Sequence, residues 1–260
     1  MATSWSMPAG SRDRWPEDYE RGRPGWPREA VDAPGLQREA TVLELGAGTG
    51  KLTRLLVSTF ARVVAVEPAD AMRRLLATLC PRAAELAATA EEIPLPDASV
   101  DAVFAAEAFH RFDDQAVAEI RRVLRTGGAL VLMWNLPAGP IEPSIGAVEE
   151  LLNERVPEGD LGYDPLDLGA RPYVSGEWRR AFRSTPFEPL REARFPNPQT
   201  LDREGLVAFF ASMGWLAELP DAERLPLLEE VRSLLTADEY RRSWETDVHW
   251  TRLAGPRTPY

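Results

Sequence analysis

Three glycines at alternate positions, Gly46, Gly48 and Gly50, have the clearest chemical purpose of any residues in the chain. Glycine lets a backbone turn sharply and approach a ligand with no Cβ in the way. The apolar run Val42-Leu43-Glu44-Leu45 precedes them and reads as a buried strand. A helical pattern from Lys51 to Thr59 follows, and the amino end of a helix offers unpaired N–H groups to an anion. Strand, glycine turn and helix in that order make a cradle for a nucleotide-type ligand. A second apolar run, Arg62 to Pro68, ends in the carboxylate of Glu67 some twenty residues farther on. At that spacing a carboxylate can accept both hydroxyls of a ribose; the plainer reading is an exposed strand-end acid. His110, one of only two histidines, follows a fourth apolar run. It could take a proton or orient a nucleophile, or simply cap its loop on a backbone carbonyl.

The elements that must position these groups alternate between strand and helix. Ala69 to Leu79 reads as a helix, with Met72 on its first turn where it can pack on an adenine face. Ala84 to Ala90 is a weak third strand, and Asp101 to Asp113 holds the fourth strand and the loop after it. Open α/β sheets bind ligands beyond the carboxyl ends of their strands, so Glu107 to His110 belong at the reactive end of the ligand. Gln115 to Leu124 is amphipathic, with Val117, Ile120, Val123 and Leu124 on one face; Gly127-Gly128 stops it, and Ala129 to Asn135 is the fifth strand. Proline and glycine recur from Pro137 to Thr185, interrupted by helical pieces at Ile145 to Arg155 and Gly176 to Arg183. That stretch is too long for a plain loop. Its Tyr163, Tyr173, Trp178 and Phe182 either line a pocket or pack the insertion itself. Phe187 to Phe195 reads as a strand, and Leu201 to Gly214 and Asp221 to Leu235 as helices. Tyr240 to Leu253 alternates as a last strand, with His249 on the side opposite Trp244 and Val248, where it is structural or exposed.

Ahead of the core, residues 1–14 are small and polar and read as a disordered tail. Trp15 to Pro27 is an arm rich in aromatic residues and arginine, and Arg28 to Ala33 starts a short helix. The divisions expected are the tail 1–14, a Rossmann-like core 15–140, a cap 141–185 and a C-terminal part of the core 186–260. The 260 residues, 44% of them hydrophobic, suffice for one large domain or a domain with an insertion. A net charge of −11 argues against nonspecific binding to nucleic acid or anionic lipid. No apolar run is long enough to span a bilayer, Met1 to Arg14 lacks a signal-peptide pattern, and the single Cys80 excludes an internal disulfide. The expectation is a cytoplasmic protein acting on a small molecule, without metal, nucleic acid or membrane; its oligomeric state is not legible.

Two cofactor classes use such a cradle. The dinucleotide fingerprint G-x-G-x-x-G puts its third glycine where this chain has Lys51. Glu44 to Gly50 reads E-x-G-x-G-x-G instead, which resembles the first motif of class I S-adenosylmethionine-dependent methyltransferases. Tyr19 to Pro27 resembles the Y-x-x-x-R-P-x-Y/W-P segment of a type 11 subgroup, and Glu119 to Leu130 its E-x-x-R-V-L-x-x-G-G-x-L block, with Thr126 in place of proline. The resemblance implies a seven-stranded sheet with helices on both faces, a cap insertion after the fifth strand, and a last strand antiparallel beside the sixth. It also implies S-adenosylmethionine as cofactor and S-adenosylhomocysteine as product. By the same resemblance Glu44, Gly46, Ala47, Gly48, Glu67, Pro68, Met72 and Glu107 are cofactor residues, and Ala90 and Glu91 meet the adenine. Glu91 and Glu92 could equally be a solvated charge pair. Tyr19 and Arg23 would close over the methionine end, an aromatic face suiting the sulfonium and a guanidinium the carboxylate; the alternative is an arm pinned by aromatic packing. The family motif around His110 commonly continues with Trp, where this chain has Arg111. The reaction implied is methyl transfer to O, N, C or S of a small organic molecule, with His110 as the candidate base. The rivals are an S-adenosylmethionine-binding regulator or assembly factor without transfer, and an NAD-dependent dehydrogenase, against which Lys51 argues.

Overall fold

The computed structural model describes residues 15–155, 173, 175–183 and 185–255. The expected tail at 1–14 and Tyr163 of the expected cap lie outside the described residues. The described residues form two compact units, one drawn from Gly25–Leu136, Gly169–Asn197 and Trp244–Tyr260, the other from Met1–Pro24, Pro137–Leu168 and Pro198–Ser243.

The larger unit is built on a sheet. Its strands are β1 (Thr41–Leu45), β2 (Arg62–Val66), β3 (Ala84–Leu86), β4 (Val100–Ala106), β5 (Leu124–Ala138), β6 (Arg191–Pro196) and the second half of β8 (Glu239–Arg252). They run in the order β3-β2-β1-β4-β5-β8-β6. The pairs β1/β2, β1/β4, β2/β3 and β4/β5 are parallel, whereas β6 and β8 are antiparallel. The last strand therefore lies between the fifth and sixth, as the resemblance implies. Helices α2 (Arg28–Asp32), α3 (Thr53–Thr59), α4 (Asp70–Leu79) and α5 (Asp114–Val123) complete it. Period-two alternation sends Leu130, Leu132 and Trp134 of β5 into one core with Val117, Ile120 and Phe109, and Ala129, Val131 and Met133 into another with Leu52, Leu56 and Val31. Burial of both faces explains why these strands read as unbroken apolar runs.

Boundaries move where tertiary contacts outweigh local pattern. The third strand is Ala84–Leu86, shorter than expected, and the helix after the glycine loop begins at Thr53 rather than Lys51. Helix α5 starts one residue early because the Asp113 carboxylate accepts a hydrogen bond from Ala116 N at 3.0 Å. It ends at Val123, not at the glycine pair, because Leu124 is already extended and pairs with Val100. Gly127, at φ +78°, instead belongs to an irregular start of β5. The strand expected over Phe187 to Phe195 is confined to Arg191–Pro196, and the piece at Gly176 to Arg183 is a 3₁₀ helix, Glu177–Phe182.

In the smaller unit, α1 (Trp15–Gly22) packs with α7 (Arg203–Ala211), joined by α6 (Pro143–Arg155), α8 (Gly214–Glu218) and α9 (Asp221–Leu234). A short strand that the sequence did not suggest, β7 (Gln199–Asp202), pairs antiparallel with the start of β8. The single helix expected from Leu201 begins only at Arg203, where Asp202 caps it by accepting from Gly205 N at 2.6 Å. The expected arm is thus a helix. Trp15 Nε1 donates to Ser212 O at 3.0 Å, and Arg224 pairs with Asp18 at 2.6 Å. Among the described residues, 15–24, expected with the core, cluster in the smaller unit, and those from Tyr173 on, expected in the cap, cluster with the sheet. The close approach of α1 and α7 requires Gly22, where a Cβ would lie 2.1 Å from Phe209 N. Gly22→Ala should lower unfolding stability by about 1–3 kcal/mol, the range for overpacking; a urea-denaturation midpoint equal to wild type would contradict this packing.

Candidate active site

All of the expected site residues except Tyr19 and Arg23 lie in the larger unit. The glycine loop leaves β1 with Gly46, Gly48 and Gly50 at φ +72°, +57° and +92°, a region side-chain-bearing residues rarely adopt. Gly46 N and Ala47 N donate to Val66 O at 2.9 and 3.0 Å, which ties the loop to the end of β2. A Cβ on Gly46 would sit 2.9 Å from the Ala108 Cβ, so the loop after β4 presses on the glycine loop at this point. A Cβ on Gly50 would meet Cys80 Sγ at 2.6 Å, and Cys80 is buried there as packing.

Glu67 closes the arrangement. Its Oε2 accepts from Gly48 N at 2.8 Å and its Oε1 from Ala69 N at 2.9 Å. The side chain is 8% exposed. Burial raises its carboxyl above the usual range, while the two amides, Arg111 and Arg73 oppose that rise. Each carboxylate oxygen can accept more than one hydrogen bond, so capacity remains for a ligand's hydroxyls. Pro68 O accepts from Arg73 Nη1 at 3.3 Å.

Glu44 lies beneath the loop. Thr53 Oγ1 donates to its Oε2 at 2.6 Å, linking β1 to α3. Burial pushes its carboxyl up to about 8, a rise opposed by the Thr53 hydrogen bond and assisted by the nearby Glu67 charge. Met72 and Ala90 are buried, at 3% and 7% exposure, and Glu91 O accepts from Gln115 Nε2 at 3.5 Å.

The end of β4 carries Glu107, one of two non-glycine residues among those described with positive φ, at +52°. Its Oε1 accepts from Asn135 N at 2.7 Å and its own N–H donates to Met133 O at 2.9 Å. Backbone held in this region concentrates at functional sites. Asn135 in turn donates to Gly25 O at 3.1 Å and accepts from Asn197 Nδ2 and Thr246 Oγ1 at 3.0 and 2.5 Å. His110 follows in a 3₁₀ turn, Phe109–Arg111. Trp134 Nε1 points its N–H at His110 Nδ1 at 3.4 Å. Burial, with Arg111 beside it, pushes the imidazole down to about 4, so His110 is neutral near pH 7. The nitrogen a base would use is the one that faces the indole N–H, an arrangement that disfavours the expected base.

Tyr19 and Arg23 lie in the smaller unit. There Arg23 Nε donates to Ser212 Oγ at 2.7 Å, and its guanidinium lies 5.6 Å from the Tyr19 ring centre and 5.3 Å from that of Phe209. His249 is 2% exposed, its Nε2 3.0 Å from Tyr173 Oη. Tyr173 and Trp178 pack against Trp134. The sequence reading missed Thr53, Trp134 and Asn135. Their signal was available for the latter two: Trp134-Asn135 closes the fifth apolar run, the end at which α/β sheets bind ligands.

Comparison with known proteins agrees with this geometry. A family model described as a methyltransferase domain matches residues 43–132. An uncharacterized methyltransferase of Mycobacterium tuberculosis is 38% identical over 220 residues, covering 84% of this chain and 82% of that protein. The chain belongs to the class I S-adenosylmethionine-dependent methyltransferase family. A methyltransferase-like protein of Schizosaccharomyces pombe is 33% identical over 213 residues, 80% of this methyltransferase and 78% of the yeast chain. A malonyl-[acyl-carrier protein] O-methyltransferase of Methylococcus capsulatus is 42% identical over 98 residues, 35% of this chain and 36% of its own. Among solved structures, a type II methyltransferase assignment from Anaeromyxobacter dehalogenans superposes with a TM-score of 0.66 at 24% identity, over 90% of this chain and 99% of that one; it shares the fold.

The buried acid of this methyltransferase has a consequence for stability. Glu44 holds its proton to about pH 8 in the folded chain, whereas an unfolded glutamate releases it near 4.5. A raised folded value stabilises fully below the unfolded one, and that contribution is lost as pH rises to the folded one. Wild type should therefore lose on the order of 5 kcal/mol more stability between pH 4.5 and 8 than Glu44→Gln. Chemical denaturation of both proteins across that window checks it, and parallel stability curves would contradict the buried acid.

Proposed function

We propose that this methyltransferase binds S-adenosylmethionine in the cradle of Gly46, Gly48 and Glu67 and transfers its methyl group to a small organic acceptor. The observation that carries the reading is the pairing of Glu67 with Gly48 N at 2.8 Å, which joins the glycine loop to the acidic end of β2. The residues present fit that cofactor. Three left-handed glycines bare the backbone, and a carboxylate organises two amides at the same loop. Lys51 stands where a dinucleotide fingerprint requires glycine, which favours S-adenosylmethionine over NAD.

Within this reading Gly46, Ala47 and Gly48 offer backbone to the cofactor, and Glu67 accepts the ribose hydroxyls, with Pro68 shaping the turn after it. Met72, Ala90 and Glu91 attend the adenine. Glu107 stands toward the reacting end, held by Asn135 N. When bound, the sulfonium supplies an activated methyl group. The chain's own part is alignment of the two reactants and exclusion of water. No base is assigned to His110, because its Nδ1 faces Trp134 and an imidazole pushed down to about 4 has little affinity for a proton.

A small-molecule acceptor is supported by the net charge of −11, which disfavours nucleic acid. The Methylococcus capsulatus relative is named for an acyl-carrier-protein substrate, but the match covers 35% of this chain and carries no substrate argument. No helix among the described residues is long and apolar enough to cross a membrane.

Calorimetry with S-adenosylmethionine and with NAD is the direct test: binding of the first and not the second is expected, and NAD binding alone would overturn the proposal. Charge-assisted hydrogen bonds are worth about 1.5–3 kcal/mol each. Glu67→Ala should therefore weaken S-adenosylmethionine at least about tenfold, and an unchanged dissociation constant would remove Glu67 from the site. Labelled S-adenosylmethionine incubated with a metabolite panel separates an enzyme, which passes label to an acceptor, from a binding protein, which does not.

A further inference from the structure

The imidazole of His110 is held through one nitrogen. Trp134, fully buried at the end of β5, directs its indole N–H to His110 Nδ1 at 3.4 Å. An indole nitrogen donates and never accepts. The histidine nitrogen that receives it carries no proton, so neutral His110 bears its proton on Nε2. That Nε2 makes no hydrogen bond to a described residue, and it is not among the buried polar atoms cut off from solvent.

Trp134 is itself immobilised. Its ring centre lies 4.9 Å from that of Tyr173, 5.0 Å from Trp178 and 6.1 Å from His249. Tyr173 is anchored by donating its hydroxyl proton to Asp247 Oδ2, and its oxygen lies 3.0 Å from His249 Nε2. Trp178 Nε1 donates to Tyr173 O at 3.1 Å. These packed rings surround the indole that faces His110 Nδ1. Ala108 caps the turn that carries His110, and a Cβ placed on Gly46 would lie 2.9 Å from its Cβ, so the turn abuts the glycine loop.

Resting on the S-adenosylmethionine reading above, we propose that Trp134 is a positioning residue for the reacting end, holding His110 as an Nε2–H donor aimed at the methyl acceptor. The acceptor it suits carries an oxygen or nitrogen lone pair beside the atom to be methylated, such as a carbonyl or carboxylate group, and gives no proton to this histidine. Burial and the neighbouring Arg111 keep the ring neutral near pH 7, which preserves the donor.

Long-range ¹H–¹⁵N spectra of histidine-labelled protein test this, because there are only two histidines and His110→Gln assigns the signals. Wild type at pH 7 is expected to show His110 in the Nε2–H form alone. Trp134→Phe keeps an aromatic ring without the N–H, and an Nδ1–H population should appear. Saturation with S-adenosylmethionine should shift the His110 Nε2 signal in wild type. An Nδ1–H form in wild type, a Trp134→Phe spectrum identical to wild type, or no shift in protein that calorimetry shows to bind S-adenosylmethionine would each overturn the proposal. Should Trp134→Phe fail to fold, the wild-type tautomer and its response to S-adenosylmethionine decide alone. Absence of calorimetric binding overturns the cofactor reading itself, whatever the tautomer.

Discussion

Two backbone amides share one carboxylate at the centre of the larger unit. Glu67 takes Gly48 N with one oxygen and Ala69 N with the other, so a single side chain sets both the glycine loop after β1 and the turn into α4. The loop can reach the carboxylate only because its glycines adopt positive φ. It is fastened on its other side by Val66 O and limited by Ala108. Parallel order does the rest: β1, β2 and β4 end at the same edge, so the loops after them converge.

That convergence sets two carboxylates close together in a dry environment. Glu44 and Glu67 lie on neighbouring strands, and each is raised chiefly by burial. The structure separates their duties by their partners. Glu44 meets a hydroxyl and can keep its proton, whereas Glu67 meets two N–H donors and arginines, which favour the anion. One carboxyl thereby braces β1 against α3, and the other fixes the glycine loop through two amides.

The same logic separates the histidines. His110 and His249 both lie near Trp134, but His249 is sealed beside Tyr173 and Asp247, while His110 keeps one nitrogen open. An aromatic cluster of Trp134, Tyr173 and Trp178 thus serves as a rigid backing for the loop after β4.

Much of the larger unit was legible in the chain itself. Gly46, Gly48 and Gly50 suggested a cradle because glycine enters that backbone region most readily, and the spacing singled out Glu67, although its pairing with Gly48 N appears only in the fold. The buried parallel strands showed as apolar runs because both of their faces are covered. Other features were settled only by residues far apart in the chain. Helix α1 exists as a helix against α7, through Gly22 and Phe209, and local pattern there suggested only an arm. Tyr173 and Trp178 read as cap residues because proline and glycine surround them, yet they pack on Trp134. Which nitrogen of His110 holds the proton was beyond any sequence pattern. It depends on an indole 24 positions away, brought within 3.4 Å because β4 and β5 run side by side.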